Sequence, residues 1–219
     1  MRTLLFFLAT GLLVFPVHAG EILDEPMNYA SIDEFKTNWT FLDSRGGAGE
    51  IRENSADPSQ PRWLFLRNAL VQKDLPQPLK NQDWTLKFKM LQSEARRGGW
   101  VGLFDETRTK GYAVLWDSGN SGIDYPGTVF IRKFRLDQPL EEWGDNGEAV
   151  TPAIRSGHPI TQLPFAEFEL SWKHDTGLLT LAVDGVELTS YADTEFPDLS
   201  QIVIKGNWQS IDDIVVTSP

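Results

Sequence analysis

The sequence predicts an all-β fold, a two-sheet antiparallel β-sandwich of the jelly-roll type with one short N-terminal helix. Three observations predict it. Apolar and polar residues alternate with period two over much of the chain, the pattern of strands with one buried face. Turn residues punctuate that alternation, most clearly Asp184-Gly185 inside "LTLAVDGVEL". A helical period is almost confined to one stretch after Ser31. Roughly a dozen short strands with frequent turn signals make a sandwich or jelly roll.

The chain of 219 residues opens "MRTLLFFLATGLLVFPVHAG". One Arg precedes an apolar run from Leu4 to Val17, and Val17-His18-Ala19 fits the small-residue rule for a signal peptidase. Residues 1–19 are expected to be a signal peptide and residues 20–219 a single β-sandwich domain. Pro16 and the shortness of the run argue against a membrane span, and no later run is long enough for one. The expected destination is the periplasm, the cell surface or the extracellular space. There is no cysteine, so the exported chain relies on its apolar core, which the 41% of hydrophobic residues can supply.

Ser31-Ile32-Asp33-Glu34 reads as a capping box, predicting a short helix that ends near Trp39. In "WTLKFKM" Trp84, Leu86, Phe88 and Met90 share one face against Thr85, Lys87 and Lys89. In "FELSW" Phe168, Leu170 and Trp172 point inward and Glu167, Glu169 and Lys173 outward; Leu179, Leu181 and Val183 repeat the pattern. Asp184-Gly185 supplies the two positive φ angles of a type I′ turn, and His174-Asp175-Thr176-Gly177 is expected to link the preceding pair in the same way.

Three strands are apolar on both faces: "GGWVGLFDE", "KGYAVLWD" and "GTVFIRKFRL". One face is read as Val101 and Leu103, Ala113 and Leu115, Val129 and Ile131. The other is read as Trp100 and Phe104, Tyr112, Val114 and Trp116, then Phe130, Arg132 and Phe134. That second face is either a buried layer or an aromatic platform carrying one arginine. The segment from Leu136 to Pro164 lacks periodicity and holds Glu141, Glu142, Trp143, Asp145, Arg155 and His158. Its length and polarity predict a cover over one sheet face.

"FAEFELSWKHDTGLLTLAVDGVELTSYADTEFPDLSQIVIKGNWQSIDDIVV" resembles the C-terminal half of the concanavalin A-like lectin/glucanase superfamily, especially its laminin-G-like bacterial domains. "GYAVLWDSG" followed by "GTVFIRKF" is similar to exported bacterial proteins of that fold. The resemblance spans Trp84 to Val216. It implies two stacked sheets, one concave, with glycan held on the concave face or its rim. It also implies a structural calcium ion near the start of the last strand, where Asp212 matches and Asp213 is adjacent.

The formal charge is −11, with 20 Lys and Arg against 31 Asp and Glu, and loss of Arg2 with the leader makes it more negative still. This disfavours nucleic acid and anionic membranes as partners, both of which need a basic footprint. The Glu-x-Asp-x-x-Glu string of the superfamily's retaining glucanases is absent; Glu167-Phe168-Glu169 is the nearest approach and falls on a solvated face. No nucleophile elbow, phosphate loop, alginate-lyase motif or Cys/His metal set is present. The expected function is therefore binding of a polysaccharide or other glycan without turnover, at Trp100, Tyr112, Trp116, Arg132 and Trp143. A glycosidase or lyase with an unfamiliar site and a structural or adhesive surface protein are the alternatives.

Overall fold

The structure is a computed structural model that describes residues 20–43, 47–53, 61–92, 98–117, 127–141, 147–158, 164–195 and 198–219. In chain order these form β1 (Gly20–Glu25), α1 (Ile32–Asn38), β2 (Thr40–Asp43), β3 (Ala48–Glu53), β4 (Arg62–Arg67), β5 (Ala69–Lys80), β6 (Trp84–Gln92), β7 (Gly99–Phe104) and β8 (Lys110–Asp117). They continue with β9 (Thr128–Arg135), β10 (Glu148–Ala149), β11 (Ile154–Arg155), β12 (Ala166–Lys173), β13 (Leu178–Val183), β14 (Val186–Ala192), β15 (Asp198–Gly206) and β16 (Gln209–Ser218). Sheet A runs β14-β13-β12-β6-β16-β4-β3, and β1 also pairs with β16. Sheet B runs β10-β9-β8-β7-β15-β5-β2, and β11 also pairs with β9. The pairings are antiparallel, and the two sheets face each other as a jelly-roll sandwich.

The helix caps as the sequence predicts. Ser31 Oγ accepts the Glu34 N–H at 3.2 Å, while the Glu34 carboxylate reaches back to the Ala30 N–H at 2.6 Å. The second arm thus lands one residue earlier than in the standard capping box. Phe35 carries the helix's buried face and stacks on Trp39, ring centroids 5.5 Å apart.

The inter-sheet core follows from the alternation. On sheet A, β6 and β12 lie in register with Phe88 opposite Phe168 and Trp84 opposite Trp172. The Phe88 and Phe168 rings stack at 5.0 Å, only 4° from parallel. Each fully buried side chain of this size contributes about 1.5–3 kcal/mol of transfer free energy. The outward residues of the same strands pair as charges, Lys87 with Glu169 at 2.9 Å.

One assignment of faces is corrected. β7 and β8 pair so that Trp100 lies opposite Leu115 and Leu103 opposite Tyr112. Directly opposed residues of an antiparallel pair share a face. Ala113 and Leu115 therefore join Trp100 and Phe104 outside, while Tyr112, Val114 and Trp116 turn into the inter-sheet core with Val101, Leu103, Val129 and Ile131. Alternation sets the parity within each strand, but the connecting turn sets the phase between strands. Here that turn is held by Asp105, whose carboxylate accepts the N–H groups of Thr109 at 2.9 Å and Lys110 at 3.1 Å.

The outer face of sheet B is a second core. Trp100, Phe104, Leu115, Phe130, Phe134 and Val203 are buried there together with Leu140. Leu140 comes from the long connection after β9, so part of that segment does cover a sheet face. Trp100, Phe104 and Phe134 are wholly inaccessible, which makes this face a closed layer and not an open platform.

Asp184 and Gly185 both have positive φ, 50° and 76°, as a type I′ turn requires. The link between β12 and β13 differs from that expectation. It is a wider turn in which the Gly177 N–H returns to Lys173 O at 2.7 Å and only Gly177 is left-handed.

Candidate functional site

The structure separates the residues that the sequence placed together. Tyr112 and Trp116 belong to the inter-sheet core at 1% and 0% exposure, and Trp100 belongs to the outer-face core. Trp143 lies outside the described residues. Among the described members of the expected group, only Arg132 is half-buried. Its guanidinium lies 4.5 Å from the Phe130 ring and one N–H donates to Gly147 O at 3.2 Å, while its Nε is buried without a partner. Burial lowers its pKa, against the pull of Asp117.

The acidic pair expected to hold calcium lies at a bulge where the pairing of β16 with β6 shifts between Asp212 and Val215. Asp212 is buried, and its Oδ1 accepts the N–H of Asp213 at 3.0 Å. The Asp213 carboxylate receives the Lys89 ammonium at 2.6 Å. Among the described residues no group of three or more His, Asp or Glu is arranged to hold a metal ion.

A concave site opens instead at one edge of the sandwich, between β9 and β10 of sheet B and β14 of sheet A. It is a cleft of about 610 Å³ walled by Leu136, Val150 and Tyr191 and fringed by Lys133, Arg135 and Glu148. Val150 and Tyr191 are partly buried against the inter-sheet core, which fixes that wall. Lys133, two residues on from Ile131 along β9 and opposite Tyr112, points to the inter-sheet side at its rim, where it meets Asp193 at 2.5 Å and Glu195 at 2.6 Å. Arg135 reaches the same Glu195 carboxylate. Hydrogen bonds from Lys133 and Arg135 hold the Glu195 carboxyl below the ordinary carboxylate range. Burial penalises the Lys133 ammonium, but the two carboxylates outweigh it and its pKa rises. The cleft thus offers an aromatic ring, aliphatic surface and fixed ionic hydrogen-bonding groups.

Sequence reasoning missed this cleft because its parts are far apart along the chain, Lys133 and Glu195 by 62 residues. Tyr191 followed closely by Asp193 and Glu195 at the end of a strand was the available signal.

No family model matches the chain, and no curated protein matches it in sequence. Solved structures do match it in fold. A legume lectin-like domain from Entamoeba histolytica aligns with TM-score 0.54 at 10% identity, covering 93% of this chain and 99% of that one. The carbohydrate-binding module CBM66 from Bacillus subtilis aligns with TM-score 0.52 at 12% identity, covering 83% and 96%. The structure of BuGH16Bwt aligns with TM-score 0.53 at 11% identity, covering 89% and 90%. At such identities the likeness is one of architecture alone, and with the two facing sheets it gives the chain a jelly-roll β-sandwich fold.

Proposed function

We propose that this chain is an exported carbohydrate-binding β-sandwich that holds a glycan without turning it over. The observation that carries the reading is the edge cleft beside Tyr191. A sugar presents an apolar C–H face and a ring of hydroxyls. The Tyr191 ring with Leu136 and Val150 suits the first, and the Lys133, Arg135 and Glu148 side chains suit the second. The volume of about 610 Å³ falls in the usual range of small-ligand sites. The fold likeness to a lectin-like domain and a carbohydrate-binding module supports the ligand class. Export is supported by the N-terminal apolar run and its small-residue end.

Binding without turnover is proposed from the absence of the Glu-x-Asp-x-x-Glu string, and the ionic partners of Glu195 beside the cleft set that one carboxylate against an acid's role. Glycoside hydrolysis by the two-carboxylate route needs one protonated carboxyl beside one ionised carboxyl. Lys133 and Arg135 favour the charged form of Glu195, the opposite of what a general acid requires.

The test is native electrophoresis through gels containing a panel of neutral and acidic polysaccharides, with the released sugars assayed in parallel. At least one polymer should retard the wild type, with no reducing ends and no unsaturated product released. Tyr191→Ala should lose that retardation while melting near the wild-type temperature. Product release would replace binding by catalysis, and passage of the wild type unretarded through every gel would remove the reading.

A further inference from the structure

We propose that the outer face of sheet A carries a second carbohydrate site, built on Trp208 and Arg67, for glycans that bear carboxylates. It takes its ligand class from the binding reading above but rests on different residues, at the opposite edge of sheet A from β14.

The site follows from the alternation of β4. Leu64 and Leu66 enter the inter-sheet core, so Trp63, Phe65 and Arg67 face outward. Across the β3–β4 pairing Arg52 lies opposite Trp63 and Glu50 opposite Phe65. The Arg52 guanidinium sits 3.4 Å from the Phe65 ring centroid and keeps a hydrogen bond to Glu50 at 3.2 Å. Trp208 meets Phe65 edge to face, ring centroids 6.0 Å apart, and Arg67 lies 5.4 Å from the Trp208 ring. Rings and planar cations are thereby tiled over one face.

Two features of this face are unexplained by packing. Arg67 is exposed and has no carboxylate partner among the described residues, although the chain carries 31 Asp and Glu against 20 Lys and Arg. Trp208 holds φ at +72° in the tight link between Gly206 and Gln209. A bulky side chain is disfavoured at positive φ, where a turn ordinarily has Gly or Asn. The surroundings hold the strained conformation in place. The Trp208 N–H donates to Leu66 O at 2.9 Å, and the Gln209 side chain accepts the N–H of Asn207. Asn207 is next to Trp208, so a turn built for its own sake had a residue better suited to that angle at hand. Strain kept in this way is characteristic of a side chain required where it stands. The Trp208 ring remains only partly buried.

The chemistry selects the ligand. A half-exposed indole stacks on the C–H face of a sugar, and a guanidinium fork hydrogen-bonds a carboxylate through two parallel N–H groups. Uronate-bearing polysaccharide supplies both groups on one ring.

The experiment uses the full exported chain in native gels containing sodium polygalacturonate or the neutral polymer laminarin. Polygalacturonate should retard the wild type, and added NaCl should weaken the effect. Trp208→Gly should melt at or above the wild-type temperature, because it relieves the φ strain, and should weaken binding by about tenfold. Arg67→Gln should weaken it comparably, and Arg67→Lys should lie between because it keeps the charge and loses the fork. Unchanged retardation of Trp208→Gly overturns the proposal, as does a clear fall in its melting temperature, which would make the ring structural. Equal retardation by laminarin with no effect of Arg67→Gln overturns it. So does self-association of the wild type that Trp208→Gly abolishes. Loss of retardation in Tyr191→Ala alone would leave the edge cleft as the sole site and overturn this inference only. Absence of retardation on every polymer overturns both readings.

Discussion

Trp116 of sheet B meets Phe168 of sheet A across the sandwich, ring centroids 5.2 Å apart, and Phe168 in turn stacks on Phe88. Three large rings from both sheets therefore close one column of the core. Trp116→Ala should cost about 3–5 kcal/mol through lost burial and a residual cavity. Against a typical margin of about 5–15 kcal/mol this is a large fraction. Chemical denaturation should show a much lower midpoint with an unchanged slope. A near-native midpoint would mean that the ring is not a core element.

The Asp184-Gly185 turn gives a cleaner backbone test. A Cβ placed on Gly185 would meet nothing within 4 Å, so any penalty there comes from φ alone. Gly185→Val should cost about 1–2 kcal/mol, the price of a left-handed conformation for an L-residue. Gly185→Asn should cost less, because Asn tolerates that region. Equal melting temperatures for all three proteins would rule out the type I′ geometry.

Asp83 ties three elements together at one end of sheet A. Its carboxylate accepts the Lys173 ammonium at 2.9 Å and the His174 N–H at 2.8 Å, and its carbonyl accepts Ser218 Oγ at 2.7 Å. The hydrogen bond from Lys173, then that from His174, lowers its pKa against the cost of burial. A carboxyl with a depressed folded pKa contributes stability that is complete above its ordinary value and is lost as the pH falls through the folded value. Asp83→Asn should therefore lower stability by about 1 kcal/mol near neutrality, a modest figure because the pair is partly exposed. The gap between wild type and variant should narrow as melts are taken down from about pH 7 to about pH 3. A gap independent of pH would place the effect in packing.

Gly20 opens β1 and pairs with Ser218 of β16, so the residue expected to begin the mature chain is also the first residue of the sheet. Mass spectrometry of exported protein should find Gly20 at the N-terminus. An exported chain still carrying Met1 would remove the signal-peptide reading.

Much of this fold was legible because alternation is local. The inward rows Trp84 to Met90 and Phe168 to Trp172 could be written down from the sequence, and so could the Ser31 cap and the Asp184-Gly185 turn. The phase of β8 could not. It depends on how the turn after Asp105 delivers the chain to Lys110, and one residue of offset moved Tyr112 and Trp116 from the outer face to the core. The candidate sites were less legible still. Lys133 meets Glu195, and Trp208 meets Phe65, only after strands distant in sequence are laid side by side. An aromatic-rich strand signals burial as readily as it signals a platform, and for Trp100 and Trp116 burial is the outcome.

The order of strands has a consequence for how the chain comes to exist. β16 lies between β6 and β4 in sheet A, and β15 lies between β7 and β5 in sheet B. The strands within residues 198–218 thus lie inside both sheets, although they come after all their partners in chain order. Until they emerge, each sheet is two unjoined halves with open edges, and the partners they bring together are far apart in sequence. Such topologies close slowly and only when the chain is whole. These two strands therefore act as the clasp that joins the halves of both sheets and commits the chain to the native state.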